Sequence, residues 1–266
     1  QAVKTNNSLA TGDTIYVGPS ISSSKSKDVS GGYYDFGGLS GGINLGHTKD
    51  FVLKGTSGAD STIFNAEGKN RHFSFSNGQT AATKIIGITF YRGKGTSPGG
   101  GSIAMNGSNT KLQFENCVFD SNRVVRGIND NYGSDGGAIV IREGATPSFT
   151  GCTFSNNWVE DYQDQRGGGA VRIDWPSSSD HVKSTIYFKQ CKFIGNYVQS
   201  NRNAYGGAVL AERNTIFENC LFVKNGVIAG FGQSANTWES ARGGAIYSGG
   251  GVSTTGVISI IANSTF

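Results

Sequence analysis

The chain of 266 residues is short of proline, histidine, cysteine and charge, and each shortage closes off a class of protein. Four prolines, with glycines that keep no three-residue period, exclude a collagen-type or polyproline rod. No apolar run reaches the roughly 18 residues of a membrane-spanning helix, and no signal-peptide pattern is present. The three histidines, His47, His72 and His181, lie far apart with no His-x-x-x-His spacing, so no metal site is expected. Lys and Arg number 23 against 19 Asp and Glu, a net charge of +4. The basic residues form no run or stripe, which argues against a nucleic-acid partner. No Gly-x-x-x-x-Gly-Lys-Ser/Thr occurs, so the glycine-rich segments are not nucleotide loops, and no cofactor is expected.

Glycine is abundant instead, at 41 residues, which argues against long helices. Among the glycines runs a repeat. Its first half is an aromatic residue, two more residues, then Cys-x-Phe-x-x-Asn. It occurs at Phe114…Cys117-Val118-Phe119…Asn122, Phe149…Cys152-Thr153-Phe154…Asn157, Phe188…Cys191-Lys192-Phe193…Asn196 and Phe217…Cys220-Leu221-Phe222…Asn225. Its second half is Gly-Gly-Ala and apolar residues, at Gly136–Ile139, Gly168–Val171, Gly206–Val209 and Gly243–Ile246. The cysteines are 35, 39 and 29 residues apart, the alanines 32, 38 and 37. Such periods mark a solenoid, each unit lending its apolar face to the next. Apolar residues alternate, as at Ile186 and Phe188 and, after a one-residue shift, Cys191 and Phe193. That is the period of a strand.

A parallel β-helix fits this pattern: an all-β coil in which like residues stack as ladders. Three ladders are structural candidates: Cys117, Cys152, Cys191 and Cys220; Phe119, Phe154, Phe193 and Phe222; Asn122, Asn157, Asn196 and Asn225. The asparagines suit a turn, and the Gly-Gly pair suits a tight bend. Weaker copies extend the stack: Ile85, Ile88 and Phe90 before it, with Gly100-Gly101-Ser102-Ile103, and Ile261, Asn263, Ser264 and Phe266 after it. One domain is expected over 1–266, with an irregular N-terminal cap and first rungs in 1–80 and regular rungs in 81–266. Within the first part, segments 14–17, 51–53, 62–64 and 73–75 read as strands, and 18–35 as a surface loop. The last rung begins and stops, so a longer native protein is expected, or self-association through the open ends of the coil. Gln1 at the start suits a mature, secreted or surface-exposed form.

All four cysteines share one inward position. Rungs lie about 4.8 Å apart, but stacked side chains point in parallel, which suits a disulfide poorly. Free buried thiols are expected, and a straight ladder spans too far for a tetrahedral metal.

Variable insertions run between each asparagine and the next Gly-Gly, at 123–135, 158–167, 197–205 and 226–242. They leave the coil at one corner and carry Trp158, Tyr162, Tyr197, Tyr205, Phe231 and Trp238, with interspersed acids and arginines. Such a surface is suited to binding an extracellular protein or a polysaccharide, or to covering the coil itself. A second cluster holds Asp174, Trp175, Asp180 and His181. Glycoside hydrolysis needs two carboxylates, for which Asp174 and Asp180 are candidates. A lyase needs a base and charge stabilisation, for which His181, Arg172 and Arg142 are candidates. Asn6, Asn106 and Asn263 begin Asn-x-Ser/Thr acceptors, which carry N-glycans if the source is a eukaryote.

The Phe-x-x-Asn and Gly-Gly-Ala-Ile motifs resemble the repeats of chlamydial-type polymorphic outer membrane proteins and related right-handed β-helix repeat proteins. The likeness covers about residues 85–266, and the fold it implies is the single-stranded right-handed parallel β-helix of the pectin-lyase-like superfamily. The resemblance implies a repeat that is scaffold and a role as a surface-displayed adhesin. No catalytic signature of pectate lyases or polygalacturonases can be placed. The leading expectation is a structural or adhesive module, and the alternative is a polysaccharide lyase or glycoside hydrolase.

Overall fold

The computed structural model describes residues 11–19, 34–35, 43–44, 49–76, 78–95, 99–126, 136–161, 166–174, 184–230, 240–249 and 259–266. Among these there is no helix, and the strands pair in parallel. Three sheets form the coil. Sheet A has eight strands, from Asp13–Val17 to Ser259–Ala262. Sheet B has seven, from Tyr34–Asp35 to Leu221–Val223, and sheet C has seven, from Ile43–Asn44 to Ile246–Ser248. The chain visits A, B and C in turn, then returns to A beside its previous strand. This is a parallel β-helix, and the order already holds from Asp13 onward.

The one-residue shift in the alternation has a backbone cause. Between sheets A and B one residue per rung takes positive φ: Gly87, Asn116, Gly151, Gln190, Asn219 and Asn263. Glycine and asparagine occupy that left-handed conformation most readily. The turn keeps both flanking phenylalanines inward. Phe114 pairs with Ile85 and Phe149, and Phe119 with Phe90 and Phe154.

Inside the coil the rings form two columns. Phe114, Phe149, Phe188 and Phe217 stack at 5.1, 4.8 and 5.1 Å between centroids. Phe90, Phe119, Phe154, Phe193, Phe222 and Phe266 stack at 5.1, 5.0, 4.8, 4.7 and 5.0 Å. The columns meet edge to face, as at Phe149 and Phe154, 5.7 Å apart at 70°. Such ring pairs contribute about 0.5–1.5 kcal/mol beyond their buried area. Cys117, Cys152, Cys191 and Cys220 are buried and free. Each thiol donates to a carbonyl of the preceding rung, as Cys152 does to Phe114 at 3.5 Å.

The variable insertions, read from sequence as loops, begin as strands, and those at 158–167, 197–205 and 226–242 also end as strands. Sheet D has five strands, including Lys94–Gly95, Arg123–Arg126, Trp158–Asp161, Tyr197–Ser200 and Gly226–Ala229. Sheet E is made of Arg166–Gly167, Ala204–Tyr205 and Ala241–Arg242. Val124, Val159, Val198 and Ala204 give this lobe a small core separate from the main one.

The Gly-Gly pair lets the lobe rejoin the coil. Gly168 takes φ of 75°, and Gly169 lies where any Cβ would strike the carbonyl oxygen of Gly207 and come within 2.6 Å of the Tyr197 nitrogen. Sheet E then touches the outer side of sheet C. A Cβ at Gly167 would meet Leu210 at 3.1 Å, and Tyr205 stacks on Tyr247 at 4.9 Å.

Candidate functional site

Two clusters of charged and aromatic side chains sit on this frame. The first lies at the end of sheet C. Residues 142, 174 and 212 each follow a sheet C strand, so parallel pairing stacks Arg142, Asp174 and Glu212 in successive rungs. Arg142 Nε donates to Asp174 Oδ2 at 3.1 Å. Arg172 donates from Nε to Asp174 Oδ1 and from its terminal nitrogen to Glu212 Oε2, the latter at 3.0 Å. Arg172 and Asp174 are both 7% exposed, so the network is largely desolvated. Both Asp174 oxygens are engaged by guanidinium groups. Hydrolysis instead needs an acid and a base held apart around a substrate bond. Glu212 carries no motif, and only the rung register reveals it as the second acid that Arg172 bridges.

Beside this network Arg213 is fully buried. It donates to the carbonyls of Ala145 at 3.0 Å and Ile141 at 3.5 Å, two rungs back. Burial pulls its guanidinium down to about 10, against the fields of Asp174 and Glu143.

The second cluster lies on sheet D. Pairing puts Lys94, Arg123, Trp158, Tyr197 and Gly226 in one column, about one rung apart. Trp158 and Tyr197 lie parallel, their ring centroids 6.2 Å apart and their planes 5° from coincidence. The Arg123 guanidinium sits 5.5 Å from the Trp158 ring centre, within cation–π range. Its Nε is buried without a hydrogen-bond partner. Tyr197 is 38% exposed. Partial burial and the charge of Glu160 push its phenol up.

Other residues singled out from sequence fall as follows. Tyr205 is apart from that column, stacked on Tyr247 with Arg242 5.9 Å from its ring centre. Tyr162, Phe231, Trp238, Asp180, His181 and Asn6 lie outside the described residues. Asn106 is exposed after the strand Ile103–Met105, and Asn263 is exposed with φ of 49°. Among the described residues no three His, Cys, Asp or Glu side chains converge as a metal site would require. A cavity of about 660 Å³ is lined by Ser76, Gly78, Thr80, Gly107, Ser108, Asn109 and Lys111, with no acid or histidine among its described lining residues.

No family model, no curated protein and no solved structure matches the chain.

Proposed function

We propose that this chain is a non-catalytic binding scaffold of the cell exterior. The coil is the rigid support, and the sheet D lobe presents a contact strip to an extended protein or glycan ligand. The observation that carries this reading is the column Arg123–Trp158–Tyr197, a cation and two stacked aromatic rings in register on a paired strand surface. Aromatic side chains offer large contact area for little lost rotamer freedom, and arginine joins them among the residues that dominate binding surfaces. The Asp174 network favours the same reading, since its carboxylates are already bound to Arg142 and Arg172. The resemblance of the repeat to surface-displayed β-helix adhesins points the same way and is the ground for placing the chain outside the cell.

The test is a depolymerisation screen of the folded chain on neutral and uronic-acid polysaccharides, following new reducing ends and unsaturated products. No cleavage is expected. Cleavage that is lost in Asp174→Asn would overturn the binding reading and establish an enzyme.

A further inference from the structure

We propose that Asn106–Gly107 is a self-modifying site, where the Gly107 nitrogen attacks the Asn106 side chain and converts it, through a cyclic imide, to aspartate and isoaspartate. Water is the only co-reactant. The site is separate from the binding strip proposed above.

The chain has three Asn-Gly pairs, Asn77–Gly78, Asn106–Gly107 and Asn225–Gly226. Glycine matters because no side chain shields the attacking nitrogen. Asn77 lies outside the described residues. The other two pairs are the same dipeptide in opposite surroundings. Asn106 is exposed, in the turn that leads from sheet C to sheet A. Among the described residues, neither its side-chain amide nor the Gly107 N–H takes part in a hydrogen bond. The rest of the turn is held. The Asn106 nitrogen donates to the Phe75 carbonyl at 2.9 Å, and the Thr110 nitrogen to the Gly107 carbonyl at 3.0 Å. The Thr110 hydroxyl donates to the Asn106 carbonyl at 2.7 Å, which draws electrons from the peptide group and eases loss of the Gly107 proton.

At Asn225 both reacting groups are taken. Its Oδ1 accepts from the backbone and side chain of Asn196, at 3.0 and 2.9 Å, and its Nδ2 donates to the Phe193 carbonyl at 2.9 Å. The Gly226 nitrogen donates to the Asn196 carbonyl at 3.0 Å. This asparagine reacts only when its rung opens, so its rate is cut by the opening equilibrium.

In the reaction the Gly107 nitrogen gives up its proton and bonds to Asn106 Cγ. The bond from Cγ to Nδ2 breaks, and Nδ2 leaves with that proton as ammonia. Water then opens the ring, and nothing is oxidised or reduced. Cleavage at Cγ leaves aspartate. Cleavage at the main-chain carbonyl carbon leaves isoaspartate, with one more carbon in the backbone. Either product puts a carboxylate next to Gly107 and Ser108, in the wall of the cavity that Lys111 also lines and where no acid stands among the described lining residues.

The test is ageing of the whole chain in mildly alkaline buffer, the protein being made in bacteria so that no glycan occupies Asn106. Peptide mass spectrometry follows each Asn-Gly pair, and an isoaspartyl methyltransferase labels isoaspartate. In the native chain Asn106 is expected to deamidate at least about tenfold faster than Asn225. Isoaspartate is expected among the products, and the rate is expected to rise with pH because the attacking nitrogen must lose its proton. In urea the two rates converge. Asn106→Gln, which would need a larger ring, removes the labelled product from that peptide. The proposal is overturned if native Asn106 reacts no faster than Asn225, if urea leaves the difference in place, or if the product contains no isoaspartate.

Discussion

The side-chain amide of Asn157 donates to the side-chain oxygen of Asn196, one rung on, at 2.9 Å. The same amide donates to the Phe119 carbonyl at 2.9 Å. The Asn157 oxygen accepts from both the backbone and the side chain of Asn122. Donors and acceptors are thereby filled in a fully buried spot, with no water required. The ladder begins at Gly93, whose nitrogen donates to Asn122 at 2.7 Å, and runs to Asn225.

Asn157→Ala strips three buried partners at once. Each orphaned group costs about 1–3 kcal/mol, so the expected loss is at least about 3 kcal/mol, read as a fall in the urea midpoint. Asn157→Asp is expected to be worse above neutral pH, because a carboxylate can donate to neither Phe119 nor Asn196. An unchanged midpoint in both variants would remove the ladder from the forces holding the coil.

Gly169 and Gly226 make a paired steric test. Neither carries a positive φ, so only space distinguishes them. Gly169→Ala must push apart the Gly207 carbonyl and the Tyr197 backbone and is expected to abolish soluble, folded protein. Gly226→Ala meets open space, and its stability should lie within about 0.5 kcal/mol of the parent. Equal tolerance at both positions would mean that sheet D does not lie against the Gly-Gly ladder.

The four cysteines predict a reactivity pattern. All are buried, and burial in the apolar coil pushes the Cys152 thiol up, away from the reactive thiolate. A thiol reagent is expected to find no site in the native chain and all four on unfolding, in one phase with the loss of ring stacking. Fast labelling of even one thiol in the native chain would contradict the closed core.

The coil was legible in the sequence because its forces are periodic. Phe149 and Phe154 repeat with the rungs, and a ladder residue that changes type is penalised by both neighbours. The strands of sheets D and E were not legible. Trp158–Asp161 and Arg166–Gly167 are only four and two residues long, and beyond the valine column of Val124, Val159, Val198 and Val227 their positions vary from rung to rung. One short valine column among varied neighbours is too little periodicity to mark a strand, and the pairing that orders these segments is not encoded in local composition. The same holds for the site: Trp158 and Tyr197 stood out as aromatics, but Lys94 joins them only through register. Glu212 and Arg213 were missed because a charged residue after a strand reads as surface until the fold buries it.

His72 supplies a pH test with a defined sign. The imidazole is fully buried, Nε2 donating to the Phe64 carbonyl at 2.8 Å and Nδ1 facing the Ser102 hydroxyl at 3.1 Å. Burial disfavours the imidazolium and pulls the group from 6.5 down to about 4, despite carbonyls that favour the charged form. Between these values the unfolded chain binds the extra proton, so stability rises with pH. The contribution is complete above about 6.5, is lost as pH falls toward 4, and amounts to about 3 kcal/mol. Asp50 acts lower on the scale. Its burial alone would raise the carboxyl, but hydrogen bonds from Thr80 and Thr83 outweigh it and hold the group below its usual value. Its share is present above the unfolded value and is lost only as pH falls through the depressed one. Urea midpoints at about pH 7 and about pH 5 therefore isolate the histidine. His72→Gln is expected to be less stable at pH 7 but to lose much less between the two. Parallel pH slopes for the two proteins would show that His72 takes up its proton as readily in the folded chain as in the unfolded one.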